Sequence, residues 1–164
     1  MEQKYIYSFS QIEDKVKALH ETNTEAAAAV ALSWLGLSRD ELKTLRVSDY
    51  NSTMRMLHSA GRMVYVREDL IADMLKATCE EAPEYSMGFF ITDVNSAYEA
   101  AEKQELSPIS VLKMRYFYEK HSAKLSGEPE DRVFLKEILR SVGESEADME
   151  KQFAEYEKDA PEKI

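Results

Sequence analysis

The side chains in this sequence best equipped for chemistry are cations that could hold a phosphate. Lys43, Arg46, Arg55, Arg62 and Arg67 cluster in the first half of the chain, and Arg115 follows later. Guanidinium forks bind two nonbridging phosphate oxygens at once, so such a set could line a nucleic-acid face. The overall balance opposes that use. The 164 residues carry 31 acidic against 21 basic side chains, a formal net charge of −10, which repels a polyanion unless the acids are kept apart from the basic face. They are partly kept apart: Glu144, Glu146, Asp148, Glu150, Glu155, Glu157, Asp159 and Glu162 lie toward the C-terminus. Solvated helix faces account for most of these charges.

Other chemistry is thinly represented. His20, His58 and His121 are widely spaced and read as isolated surface histidines. With the single Cys79 they give no ligand pattern, so no metal and no cofactor is expected. The sequence has neither a glycine-rich phosphate loop nor an HExxH motif. Tyr116-Phe117-Tyr118 could stack on bases, but on a helix an aromatic run usually packs inward. The lone cysteine, the absence of an apolar leader and the lack of a membrane-length apolar run imply a cytoplasmic protein without a membrane partner.

The elements that must position these side chains read as helices interrupted by one hairpin. Ser10 and Glu13 form a capping-box signal for a helix to about His20, with Ile12, Val16 and Leu19 on its apolar stripe. Thr24 is the expected cap of a second helix, Glu25 to Leu35, apolar nearly all round and therefore central. Gly36 ends it. Ser38 and Glu41 give a second capping box ahead of Leu42 and Leu45. Two short strands, Thr53 to Leu57 and Arg62 to Val66, flank a turn at Ser59-Ala60-Gly61. A helix then runs from Glu68 to about Glu81, closed by Pro83, with Phe89-Phe90-Ile91 as an apolar segment beyond it. Further helices are expected over Asn95 to Lys103, Ile109 to about Leu125 after the Ser107-Pro108 start signal, Glu130 to Val142, and Glu146 to Lys158. The expected fold class is mainly α with a small β-hairpin or short sheet, in one domain over residues 1–164.

Ala31-Leu32-Ser33-Trp34-Leu35-Gly36-Leu37-Ser38-Arg39-Asp40-Glu41-Leu42-Lys43-Thr44-Leu45-Arg46-Val47-Ser48-Asp49 resembles the tyrosine-recombinase (phage integrase) segment A-L-x-x-T-G-L-R-x-x-E-L-x-x-L-x-x-x-D. Ile109 to Phe117 resembles the later I-S-x-H-x-L-R-H-T-F helix. Leu139 to Glu146 and Lys151 to Ala154 resemble L-G-H-S-S followed by R-Y-A-H. The resemblance covers about residues 9–156, with an acidic C-terminal helix and tail over about 144–164. Only its first box is specific; the others persuade by order and spacing.

What the resemblance implies is an integrase-like helical fold whose chemistry has been lost. Family members transfer phosphoryl groups through a tyrosine nucleophile, with two arginines clamping the phosphate. Carried over by position, the first arginine falls on Ser38 and the second-box histidine on Leu112. Arg115 survives, with Tyr116 at the position after it. Glu144 replaces a histidine, and Phe153 stands at the nucleophile. No lysine occurs between Tyr50 and Arg67 to serve as the hairpin general acid. Tyr156 is a candidate rescue nucleophile. The resemblance therefore implies no enzyme activity and an interaction or regulatory role associated with a mobile element. The protein partner would be a recombinase or a second copy, met through the C-terminal helix at Phe153 and Tyr156. A noncatalytic DNA-binding accessory of recombination and integration, using Lys43, Arg46, Arg55, Arg62 and Arg115, is the alternative. An unrelated helical interaction domain is the third reading.

Overall fold

The segment that its alanine run makes apolar on every side becomes the centre of the molecule. In the computed structural model, which describes residues 5–81 and 88–160, helix α2 spans Thr24–Trp34 and buries Ala26, Ala27, Ala29, Val30, Ala31, Leu32 and Trp34. Alanine adds no bulk beyond Cβ, so other helices can approach from several sides. Those packed on α2 are α1 (Glu13–Thr22), α4 (Asp69–Glu81), α5 (Val94–Lys103) and α6 (Pro108–Ser126). Each large side chain they bury contributes about 1.5–3 kcal/mol. The Trp34 indole is satisfied as well as buried, donating to Glu68 Oε1 at 3.1 Å.

The helix starts differ from the capping signals by one or two residues. Asn23, not Thr24, caps α2, its side chain accepting from the Ala26 N–H at 3.0 Å. Ser10 does not cap α1. A 3-10 turn over Phe9–Gln11 precedes that helix, and it lets both Phe9 and Ile12 reach the core.

The C-terminal end of α2 lies inside the protein, so its carbonyls need internal donors. The Leu37 N–H donates to Leu32 O at 3.1 Å and the Gly36 N–H to Ser33 O at 2.9 Å. This is the Schellman pattern, which requires a left-handed residue, and Gly36 has φ +94°. Ser38 then caps α3 (Arg39–Thr44) through a reciprocal capping box with Glu41.

The sheet has three antiparallel strands in the order β1 (Tyr50–Asn51), β2 (Met56–Ser59), β3 (Arg62–Tyr65), where the sequence suggested two. Thr53 to Arg55, read as strand, form a turn instead. Asn51 Oδ1 accepts from the Met54 N–H at 3.0 Å and Arg55 has φ +55°, so local side-chain bonding reverses the chain before a strand can begin. Ala60 and Gly61, both at positive φ, make the two-residue turn that suits a hairpin.

Pro83, the expected stop of α4, lies outside the described residues. Beyond them Phe89 forms an isolated antiparallel bridge with Arg46, and Phe90 and Ile91 are buried. Asp93 caps α5, which starts one residue before the expected Asn95, and Asp131 caps α7 (Arg132–Val142), which starts two residues after the expected Glu130. Ser145 caps α8 (Glu146–Asp159). Along α8, Met149, Phe153 and Tyr156 form a buried seam that lays the helix on α6. Tyr5 and Tyr7 pack their rings against Tyr156. Among the described residues, no helix is long and apolar enough to cross a membrane.

Gly36 combines positive φ with a close neighbour: a Cβ placed there would meet Phe134 Cε2 at 2.3 Å. Gly36→Ala is therefore expected to cost about 2–4 kcal/mol from overpacking plus left-handed strain, read as a lowered midpoint in chemical denaturation. Adding Phe134→Ala should recover part of that loss.

Candidate functional site

The strand β3, the middle of α6 and the start of α7 enclose a cleft of about 390 Å³ lined by Arg62, Arg67, Arg115, Glu119, Asp131 and Phe134, among others. It brings together Arg62 and Arg115, both expected to face DNA, and Arg67 of the same set of cations. Each of the first two is already engaged.

Arg115 sits on α6 facing the C-terminal end of α2. Its Nη1 donates to the Trp34 carbonyl at 2.8 Å, supplying the donor that the Schellman turn leaves missing there. A cation is favoured at this negative end of the helix dipole. Nε donates to Glu119 Oε1 at 2.9 Å, and Nη2 donates to the same oxygen. The guanidinium carbon also lies 5.5 Å from the centroids of the Tyr118 and Phe134 rings and 5.6 Å from Trp34. Carboxylate, carbonyl and rings thus occupy the surroundings that a phosphate would need.

Arg62 is held by Glu41 from the opposite side. Its Nη2 lies 2.7 Å from both carboxylate oxygens. Glu41 is 9 % exposed and also accepts from Ser59 Oγ at 2.7 Å and the Ser38 N–H at 3.1 Å. Burial alone would raise this carboxyl's pKa. The hydrogen bonds from Ser59, Ser38 and Arg62 outweigh that and hold it below the ordinary range. Ser38, at the family's first-arginine position, has its hydroxyl committed to the Glu41 N–H at 3.2 Å. The Phe134 ring, within 5.7 Å of Arg62, completes the wall beside Gly36.

The remaining carried-over positions are dispersed. Leu112 is core. Glu144, expected as plain exposed surface, is half-buried and ion-paired with Lys113 at 2.6 Å. That lysine, followed by a bond from Gln152, lowers its pKa. Phe153 and Tyr156, expected to meet a neighbouring subunit, are instead 7 % and 1 % exposed within their own chain, packed on each other and on Phe117. The Tyr156 hydroxyl donates to Ile6 O at 3.5 Å. Burial, then the neighbouring Tyr7 and Tyr118, push its pKa upward, away from a phenolate nucleophile.

The other basic candidates do not converge on the cleft. Arg55 pairs with Asp69 at 3.0 Å, Arg46 stacks over Phe89 at 5.0 Å, and Lys43 is exposed. Two acids of the C-terminal helix are paired from within, since Lys120 bridges Glu130 and Glu150, and Lys124 binds Glu157. His121 is buried against this seam, which corrects its reading as a surface histidine; Tyr116 and Phe117 are buried as expected. Among the described residues, no group of three or more His, Cys, Asp or Glu side chains is placed to hold a metal ion.

Sequence reasoning missed the partners rather than the cations. Glu119 was detectable, standing four residues after Arg115 on one helix face. Glu41 carried a signal only as a capping residue, and Phe134 carried none. No protein-family model matches the chain, and no curated protein or solved structure is similar to it.

Two outcomes follow for stability. Arg115→Met leaves the buried Trp34 carbonyl without its donor and should cost about 1–3 kcal/mol in denaturant titration. Glu41→Ala strands Arg62 and should cost on the order of 2–4 kcal/mol, with Arg62→Met recovering part of the loss. Because the folded pKa of Glu41 lies below its unfolded value, its contribution is complete above the unfolded pKa. It is lost as pH falls through the folded one. Glu41→Gln should therefore flatten the acid limb of the stability profile.

Proposed function

We propose that this chain is a catalytically inactive, tyrosine-recombinase-like module with an interaction or regulatory role, of the kind associated with a mobile element. The reading starts from the resemblance of Ala31 to Asp49 and is carried by one observation: Arg115, the surviving member of the arginine pair, is spent on its own chain. Its donors go to Trp34 O and Glu119, and Phe134 lies against it. Releasing it for a phosphate would break a half-buried ion pair and uncover a helix-end carbonyl.

Further support comes from the neighbouring positions. Ser38 caps a helix, and a neutral hydroxyl cannot supply a permanent bidentate charge. Phe153 has no oxygen with which to attack, and the Tyr156 hydroxyl is buried beside Ile6. The net charge of −10 favours a protein partner over a nucleic acid.

Incubation with a nicked suicide DNA substrate is expected to leave no covalent protein–DNA adduct. An adduct abolished by Tyr156→Phe would overturn the proposal. In a gel-shift titration the protein should not retard duplex DNA even at low salt. Strong, salt-sensitive retardation that weakens with Lys43→Ala or Arg46→Ala would replace it with the DNA-binding accessory.

A further inference from the structure

The outer edge of the sheet, unpaired among the described residues, borders the Arg115 cleft and has a symmetry of its own. Among the described residues β3 pairs with β2 alone, with Leu57 opposite Val64 and Ser59 opposite Arg62. The Val66 N–H donates to Arg55 O at 2.9 Å, which fixes the alternation of the ladder. Arg62, Val64 and Val66 direct their backbone groups at β2, whereas Met63 and Tyr65 direct theirs away from it. These two residues are also the ones whose side chains face solvent, Met63 at 58 % and Tyr65 at 53 % exposure. Neither a lysine nor a proline guards this edge.

We infer that β3 is a self-association edge, pairing antiparallel with β3 of a second copy of this chain about a two-fold axis through Val64. The register is set by the unpaired backbone groups. Met63 exchanges both N–H···O bonds with Tyr65 of the copy, Tyr65 does the same with the copy's Met63, and Val64 lies opposite itself. Each exposed thioether then meets an exposed aromatic ring, a favourable cross-strand contact. The electrostatics suit a second copy. Arg62 is ion-paired with Glu41, Arg55 beside the Tyr65 ring with Asp69, and Arg115 in the adjoining cleft with Glu119, while Arg67 falls opposite Gly61 of the copy. Val133, 67 % exposed, lines the same cleft and extends the apolar strip beside the edge. The interface is isologous and closes at two copies, joining two three-stranded sheets into one of six. Four hydrogen bonds and two Met–Tyr pairs make this a reversible dimer. The inference does not rest on the family reading above.

Amide hydrogen exchange of the full chain across a concentration series tests it, with sedimentation velocity on the same samples. The Met63 and Tyr65 amides should become protected as the protein is concentrated, in step with a shift to dimer, while the Val64 amide stays protected throughout. Tyr65→Lys and Met63→Lys should each weaken association about tenfold or more, whereas Met54→Lys, an exposed change in the turn before β2, should not. Tyr65→Thr, which keeps strand propensity, provides a second variant should lysine disturb the hairpin, and should also weaken the dimer. A monomer at all concentrations would overturn the inference, as would a dimer indifferent to all the β3 variants or Met63 and Tyr65 exchange independent of concentration.

Discussion

A helix that is apolar on every side must have its end buried as well as its flanks, and much of this structure answers that requirement. Once Thr24–Trp34 is enclosed, the carbonyls of its last turn lose water and need donors from the protein. The Schellman turn at Gly36 supplies two backbone donors, and Arg115 supplies a third. The same demand fixes neighbouring details: Gly36 must be left-handed, the space left by its missing side chain admits Phe134, and Phe134 in turn closes the wall between Arg62 and Arg115. Arg115, which the motif resemblance would put to phosphate binding, is accounted for by helix termination.

The distribution of charge follows a similar logic. A basic group reads as available when only its own type is considered, yet Arg55, Arg62 and Arg115 each lie against a carboxylate. The lysines of α6 do likewise for Glu144 and for Glu150 and Glu157 of the helix packed on them. Part of the C-terminal acidity, at Glu144, Glu150 and Glu157, is drawn against α6, while Glu146, Asp148, Glu155 and Asp159 stay exposed.

What the sequence made legible was chiefly periodic. The central helix and its stop at Gly36, the start of α6 at Ser107-Pro108 and the capping box at Ser38 all declare themselves through local chemistry, and the structure places them there. The coarse class, mainly helical with a small antiparallel sheet, followed from the same signals. The third strand did not, because Tyr50–Asn51 is too short for alternation to register. The turn at 52–55 was read as strand because its Met-Arg-Met pattern resembles one, while Asn51 decides the conformation from outside it. At the cleft, Arg62 and Arg115 were identified as residue types, but their partners lie 21 and 81 residues away in the chain. Spacing within one element cannot reveal contacts of that kind.

Tyr156 and the segment before α1 are tied reciprocally. The Tyr156 hydroxyl donates to Ile6 O, and the Tyr7 hydroxyl donates to Tyr156 O at 3.4 Å. These contacts join residues about 150 positions apart, so they carry nearly the largest loop-closure entropy this chain can incur. Local helices and the hairpin can form earlier, since their pairings are short in sequence. Folding therefore has a natural last step, in which α8 and the N-terminal tyrosines close over Phe117 together, and until that step the aromatic face of α6 remains uncovered.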